Sequence, residues 1–208
     1  MPGVQVIKLE AENPDAEALA RAARRLSDGG VIVIPTDTVY GLVCDPRNEA
    51  AVARVYDIKG RPRELPLTLL VASAEDLDRF CAVVPDSARR AAEAFWPGPL
   101  TIVLPRSQAV FPALTAGRPT IGLRLPDHAV PRDLIRLTGF PLASTSANLS
   151  GQPAARSGAA ARAALGEQVD LILDSGPAPL GLESTVADFG LSPPKILRQG
   201  AISPEQLL

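Results

Sequence analysis

Five consecutive residues, Lys59-Gly60-Arg61-Pro62-Arg63, place three cations on one turn bounded by glycine and proline. Lysine is scarce in this chain, with only Lys8, Lys59 and Lys195 among 21 basic residues, so its pairing with an arginine stands out. An ammonium is a compact point charge and a guanidinium a planar fork; together they suit a polyanion such as a phosphate chain. By itself the segment also fits, and more simply, a solvated loop between a helix and a strand. Three other stretches carry chemistry of the same kind. Thr36, Asp37 and Thr38 follow directly on the apolar run 31–34. Hydroxyls and a carboxylate at the end of a buried strand mark the place where α/β sheets put ligands. A turn whose side chains merely satisfy backbone amides would use the same residues. Ser144, Thr145, Ser146, Asn148 and Ser150 fall within seven positions, and such a run can line a phosphate or a base without steric bulk, or form a serine-rich turn. Arg124 sits among apolar residues in the stretch 120–125. A half-buried arginine there needs an anionic partner, either an internal Asp or Glu or the carboxylate of a ligand.

These groups must be positioned by alternating strands and helices. The pattern predicts a strand over 4–9, then a helix with Asn13 as cap and Pro14 in its first turn, closed by Gly29-Gly30. Residues 31–34 read as a buried central strand. Asn48 caps a helix over 49–58 that delivers Lys59 at its end, and a buried strand over 67–71 follows. Ser73 and Asp76 resemble a capping box for a short helix ending at Phe80. A helix over 85–95 leads to Trp96, read as a core anchor. Strands are predicted at 101–104, 120–125, 170–173, 182–188 and 195–200, and one running from 141 into the serine-rich loop. Helices are predicted at 131–138 and 159–165, and a small turn at 203–208. No repeat or composition shift divides the chain, so residues 1–208 read as one α/β domain on a mixed sheet.

Composition narrows the function. The 208 residues, 46% hydrophobic, suffice for a substantial core, and 21 basic against 23 acidic residues give a net charge of −2. A protein built mainly to grip duplex nucleic acid would carry a basic surplus or stripe. His128 is the only histidine, which excludes histidine-rich metal sites and leaves any Ser-His or Cys-His device dependent on it. Cys44 and Cys81 are too few and too far apart for a structural zinc site and read as reduced, buried small hydrophobes. No signal peptide and no membrane span are read, so a cytoplasmic protein without membrane contact is expected. The phosphate-binding Gly-x-x-x-x-Gly-Lys-Ser/Thr loop, the dinucleotide fingerprint and the nucleophile elbow are all missing. The residues alone indicate a small anionic ligand on an α/β sheet.

Taken together, seven blocks resemble the YrdC-type threonylcarbamoyl-AMP synthase family. They are Pro35-Thr36-Asp37-Thr38-Val39-Tyr40-Gly41-Leu42, Lys59-Gly60-Arg61-Pro62, Trp96-Pro97-Gly98-Pro99-Leu100-Thr101, the strand around Arg124, Ser144-Thr145-Ser146-Ala147-Asn148-Leu149-Ser150-Gly151, Gly181-Leu182-Glu183-Ser184-Thr185-Val186 and Ile196-Leu197-Arg198. They occur in the family's order across nearly the whole chain, and match its short single-domain form. The resemblance implies a twisted mixed sheet flanked by helices around a concave, positively lined cavity. It implies synthesis of threonylcarbamoyl-AMP and pyrophosphate from L-threonine, bicarbonate or CO2, and ATP. The product would serve N6-threonylcarbamoylation of adenosine 37 in tRNA, through a downstream TsaD-type transferase. Lys59 and Arg61 would act on the triphosphate. ATP would also meet Arg63, Thr120, Ser146, Asn148, Ala154 through its backbone, and Arg198. L-Threonine would meet Thr36, Arg124, Ser144 and Ser184. Mg2+ would enter with ATP, without dedicated protein ligands, and no organic cofactor is implied.

Two positions depart from the family pattern. Leu69 and Leu70 occupy a strand where many members carry a histidine, and Gln199 stands where a proline is common. Competing readings are an RNA-binding or ribosome-maturation factor, with weak RNA contact through the same face, and a paralogue with a related carbamoyl or adenylate activity. The 4% aromatic content supplies little for stacking on bases.

Overall fold

The computed structural model describes residues 4–207. They build one ten-stranded mixed sheet in the order β1-β8-β2-β3-β7-β4-β6-β5-β9-β10. The strands are β1 (Val6–Lys8), β2 (Ile32–Ile34), β3 (Gly41–Cys44), β4 (Thr68–Leu70), β5 (Leu100–Pro105), β6 (Thr120–Arg124), β7 (Leu142–Ser146), β8 (Leu171–Asp174), β9 (Thr185–Asp188) and β10 (Lys195–Arg198). The helices are α1 (Ala16–Ser27), α2 (Glu49–Lys59), α3 (Asp76–Phe80), α4 (Asp86–Phe95), α5 (Ala129–Thr138), α6 (Gly158–Leu165) and α7 (Pro204–Leu207). The mixed α/β architecture expected from the sequence is present. The expected turn at 203–208 is α7, with Leu208, like residues 1–3, outside the described residues.

Two cores lie on the two faces of the sheet. Val31, Val33, Leu42, Leu69, Ile102, Ile121, Leu123, Ala143 and Ala187 join one core with residues of α2, α3, α4 and α6. Ile32, Ile34, Val43, Leu70 and Leu142 join the other with residues of α1 and α5. Alternation along β2 explains why the run 31–34 is apolar throughout: successive side chains enter opposite cores. Both cysteines are free and buried, and burial pushes each thiol up to about 12. Trp96 is buried, its indole N–H donating to the Leu100 carbonyl.

The structure corrects several boundaries. The first helix is capped by Asp15, whose carboxylate accepts from the Ala18 amide, and not by Asn13. Asn13-Pro14 offers the usual start signal, but Asp15, two residues after Asn13 and directly before Ala16, supplies the same acceptor. Ser73 makes no capping box; its hydroxyl accepts from the Glu75 amide in a local turn, and α3 begins at Asp76 without a side-chain cap. Gly41 and Leu42, read as part of a ligand loop, are the first residues of β3, which returns antiparallel beside β2. The stretch 182–188 is strand only from Thr185.

Helices cover the second face unevenly. The apolar residues of α1 and α5 pack over β2 and β8 and reach Leu70 of β4 and Leu142 of β7, while the rest of β4 and β7, with β5, β6 and β9, exposes that face. On these strands every second side chain changes character. Thr68 and Leu70, Thr101 and Val103, Thr120, Gly122 and Arg124, and Ser144 and Ser146 face an open concavity, while Leu69, Ile102, Ile121 and Leu123 fill the core behind.

Candidate functional site

That concavity is a cavity of about 320 Å³ on the sheet's uncovered face, walled by hydroxyls and arginines. Its floor is kept flat by Gly122, where an added Cβ would come within 3.1 Å of the Thr101 methyl. Glycine inside a strand marks a site of close approach of this kind.

Arg124 anchors the inner end. Its Nη2 donates to Asp37 Oδ1 at 2.5 Å, its Nη1 to Thr38 Oγ1 at 2.7 Å and its Nε to the Gly98 carbonyl at 3.1 Å. The sequence left the partner of Arg124 open between an internal acid and a ligand, and the internal acid is Asp37. Burial pushes the Asp37 carboxyl up and the Arg124 guanidinium down, while each charge opposes the other's shift. A guanidinium has five N–H groups, and three are used here, so two remain for a ligand on the cavity side. A directed hydroxyl chain continues the wall: Thr36 Oγ1 donates to the Val39 carbonyl at 2.7 Å and lies 3.0 Å from Thr38 Oγ1. Because the Thr36 proton is engaged, Thr38 donates to Thr36.

Across the cavity, Ser184 Oγ lies 2.9 Å from Thr101 Oγ1. Arg198 Nη2 donates to the Ser184 carbonyl at 2.9 Å and to its hydroxyl at 3.1 Å, and Arg198 Nη1 pairs with Glu183 at 3.1 Å. Arg61 reaches the cavity from the turn after α2, its Nη2 donating to the Pro66 carbonyl at 3.0 Å. Asn48 caps α2 as read from the sequence, and Gly60 ends it in the left-handed conformation.

Of the twelve residues singled out from the sequence, Thr36, Arg61, Thr120, Arg124, Ser144, Ser146, Ser184 and Arg198 line the cavity. The fold does not bring Lys59, Arg63, Asn148 or Ala154 into that lining. The Lys59 ammonium is buried and donates to the carbonyls of Ser146 and Asn148 and to Asn148 Oδ1, at 2.5, 2.7 and 3.2 Å. Burial, with the nearby Arg61 charge, pulls it down to about 8. The Asn148 amide nitrogen is spent on the carbonyls of Leu149 and Gln152. These two residues therefore brace the loop after β7. Arg63 points outward, pairs with Asp57 at 2.6 Å and lies over the Tyr56 ring. Sequence reading assigned no role to Thr68, Thr101, Arg118 and Glu183, all on the lining. For Thr68 and Thr101 the signal was there: a hydroxyl in an otherwise apolar strand, in register with the polar face. Leu70 faces the cavity and Leu69 the core, so this stretch of the wall is apolar.

His128 supplies no base. Its Nδ1 accepts from the Val130 amide as the cap of α5, which puts the proton of the neutral ring on Nε2, 3.3 Å from Ser175 Oγ. Burial, with the Arg132 charge second, pulls it down to about 4. A ring held in that tautomer cannot take a proton from Ser175. Among the described residues no cluster of three or more His, Cys, Asp or Glu side chains could hold a metal ion, and no helix is long and apolar enough to cross a membrane.

A family model of the Sua5/YciO/YrdC group, described as "Telomere recombination", matches residues 24–200. The chain belongs to the Sua5/YciO/YrdC family. A threonylcarbamoyl-AMP synthase of Pyrococcus abyssi is 39% identical over 186 residues, covering 89% of this chain and 55% of the relative. The crystal structure of P. abyssi Sua5 complexed with L-threonine superposes with a TM-score of 0.93 at 37% identity, over 97% of this chain and 59% of that one. Escherichia coli YciO superposes with a TM-score of 0.89 at 28% identity, over 99% of this chain and the whole of that one. The chain thus spans somewhat over half the length of its Sua5 relatives. Its cavity-bearing sheet is the shared Sua5/YciO/YrdC fold.

Proposed function

We propose that the chain is the catalytic domain of an L-threonylcarbamoyladenylate synthase. The observation that carries the reading is the division of one cavity into an inner wall of hydroxyls around Arg124 and an outer wall carrying Arg61, Arg118 and Arg198. The inner wall suits a small amino acid: the two uncommitted N–H groups of Arg124 match a carboxylate, and Thr36, Ser144 and Ser184 offer hydroxyl contacts to the amine and the side-chain alcohol. The outer wall suits a nucleotide's phosphates, with Ser146 and Thr120 between the two. The P. abyssi relative solved with L-threonine supports threonine as the amino acid.

Threonine's amine and bicarbonate first give a carbamate with loss of water. A carbamate oxygen then attacks the α-phosphorus of ATP, the bond from that phosphorus to the bridging oxygen breaks, and pyrophosphate leaves with the electron pair. This chemistry needs reactants held in line and negative charge stabilised, and no protein nucleophile. The fixed tautomer of His128 fits that requirement. Mg2+ comes as part of the MgATP substrate. Lys59 and Asn148 serve by holding the 146–150 loop, which carries Ser146, against the nucleotide. The adenylate would pass to a TsaD-type transferase for modification of tRNA, in the cytoplasm.

Mixing the chain with ATP, L-threonine and bicarbonate and assaying by mass spectrometry tests the reading. Threonylcarbamoyl-AMP is expected, with pyrophosphate release dependent on both threonine and bicarbonate. Threonine-independent release, or tight RNA binding without the adenylate, would overturn it.

A further inference from the structure

The tripeptide Gly-Arg-Pro occurs twice in the chain, at Gly60-Arg61-Pro62 and at Gly117-Arg118-Pro119. The structure makes the two copies alike. Gly60 and Gly117 both adopt positive φ, 56° and 76°, and a Cβ at either would meet nothing within 4 Å. Glycine is therefore required at both by backbone conformation and not by crowding. Each turn throws its arginine into the same cavity. There the two guanidiniums rest on three consecutive carbonyls of one loop. Arg118 Nη2 donates to the Glu64 carbonyl at 3.3 Å, Arg61 Nε to that of Leu65 at 3.4 Å, and Arg61 Nη2 to that of Pro66 at 3.0 Å.

Carbonyl acceptors orient a guanidinium without cancelling its charge. The cavity's other two arginines are cancelled, Arg124 by Asp37 and Arg198 by Glu183. Among the described residues no carboxylate pairs with Arg61 or Arg118. The uncancelled positive charge of the site is thus concentrated on two forks mounted on twin turns at its rim. Both contacts are long or few, which leaves most of the N–H groups free to turn toward a ligand.

We propose that Arg118 is the second jaw of a guanidinium clamp, with Arg61 the first, that grips the β- and γ-phosphates of ATP. The proposal rests on the synthase reading and adds a binding residue to it. In the transfer step, charge grows on the bridging oxygen as its bond to the α-phosphorus breaks. Two unpaired forks on the departing pyrophosphate stabilise that charge more than they stabilise the intact ester. AMP and threonine, which lack those phosphates, do not engage the clamp.

The test is calorimetric titration of the full chain with MgATP, AMP and L-threonine separately, for wild type, Arg118→Gln and Arg118→Lys. The Gln variant should bind MgATP about tenfold or more weakly, the loss expected for charge-assisted bonds to phosphate. The Lys variant should recover part of that loss, keeping the charge without the fork. AMP and threonine affinities should stay within about twofold of wild type, the usual limit for uncoupled sites. An unchanged MgATP affinity in the Gln variant overturns the clamp. So does an equal weakening of MgATP and AMP, which would make Arg118 a brace for the rim loops, and so does a wild type that binds no MgATP. None of these titrations requires turnover, so they remain readable whether or not wild type shows threonine- and bicarbonate-dependent pyrophosphate release.

Discussion

The two ends of the cavity use the same side chain in opposite ways. At the inner end Arg124 and Asp37 are 8% and 7% exposed and paired at 2.5 Å. At the rim Arg61 and Arg118 touch only carbonyls. A buried cation without an anion costs several kcal/mol, so the inner arginine requires Asp37 before any ligand arrives. Near water that penalty is small, and the rim arginines can wait unpaired. The consequence is a gradient of charge along one cavity. The inner end is close to neutral and geometrically fixed, as a zwitterion needs, and the rim is positive and adjustable, as a polyphosphate needs.

The contrast can be broken most directly at Asp37. Replacing it with Asn strands the Arg124 charge, and a loss of about 3–5 kcal/mol in urea unfolding is expected; a loss below about 1 kcal/mol would show that the inner end is not held by the pair. The same buried side holds His128, whose depressed pKa gives a pH signature. The unfolded chain takes up a proton through 6.5, whereas the folded ring stays neutral down to about 4. Its contribution is therefore complete above pH 6.5 and disappears as pH falls toward 4, by about 3 kcal/mol in all. The difference in unfolding free energy between wild type and His128→Asn, followed from pH 7 to 4, isolates that term.

Lys59 lies between the two regimes. Lys59→Met leaves the Ser146 and Asn148 carbonyls without their donor, and a loss of about 2–3 kcal/mol is expected, together with weaker ATP binding. Between about 8 and 10.5 the unfolded chain holds the lysine proton and the folded chain does not. The Lys59 contribution to stability thus rises with pH across that window, while the bracing of the loop weakens as an N–H is lost. ATP affinity should fall through pH 8 without a matching fall in the urea midpoint, and a parallel fall in both would argue against the bracing role. The smallest effect on stability belongs to Arg61→Gln, within about 0.5 kcal/mol, since only two carbonyl contacts at a half-exposed side chain are lost. Its MgATP affinity should nevertheless drop about tenfold. A destabilised Arg61→Gln protein would erase the distinction between rim and interior.

Much of the scaffold was legible because its causes are local. Asn48 and Gly60 bracket α2 by cap and left-handed exit, and the apolar run 31–34 could only be a strand buried on both sides. The hairpin that makes β3 was not legible, since Thr36, Asp37 and Thr38 are ordinary turn formers and Gly41 weakens any strand signal. Arg118 escaped notice although its tripeptide duplicates that of Arg61, because a repeated turn acquires meaning only when both copies face one space.

What the sequence determined by itself was the kind of chemistry: hydroxyls and forked cations, a single histidine for any base, no histidine-rich metal site and no covalent nucleophile in a recognisable motif. The alternation in Thr120-Ile121-Gly122-Leu123-Arg124 already separates a polar face from a core face, since a strand's side chains alternate by geometry alone. Tertiary structure alone decided which charges cancel. Arg124 finds Asp37 across 87 residues, whereas among the described residues Arg61 and Arg118 pair with no acid. Coulomb interaction depends on distance and surroundings and not on separation along the chain, so only the folded sheet could show which arginines remain available to a phosphate.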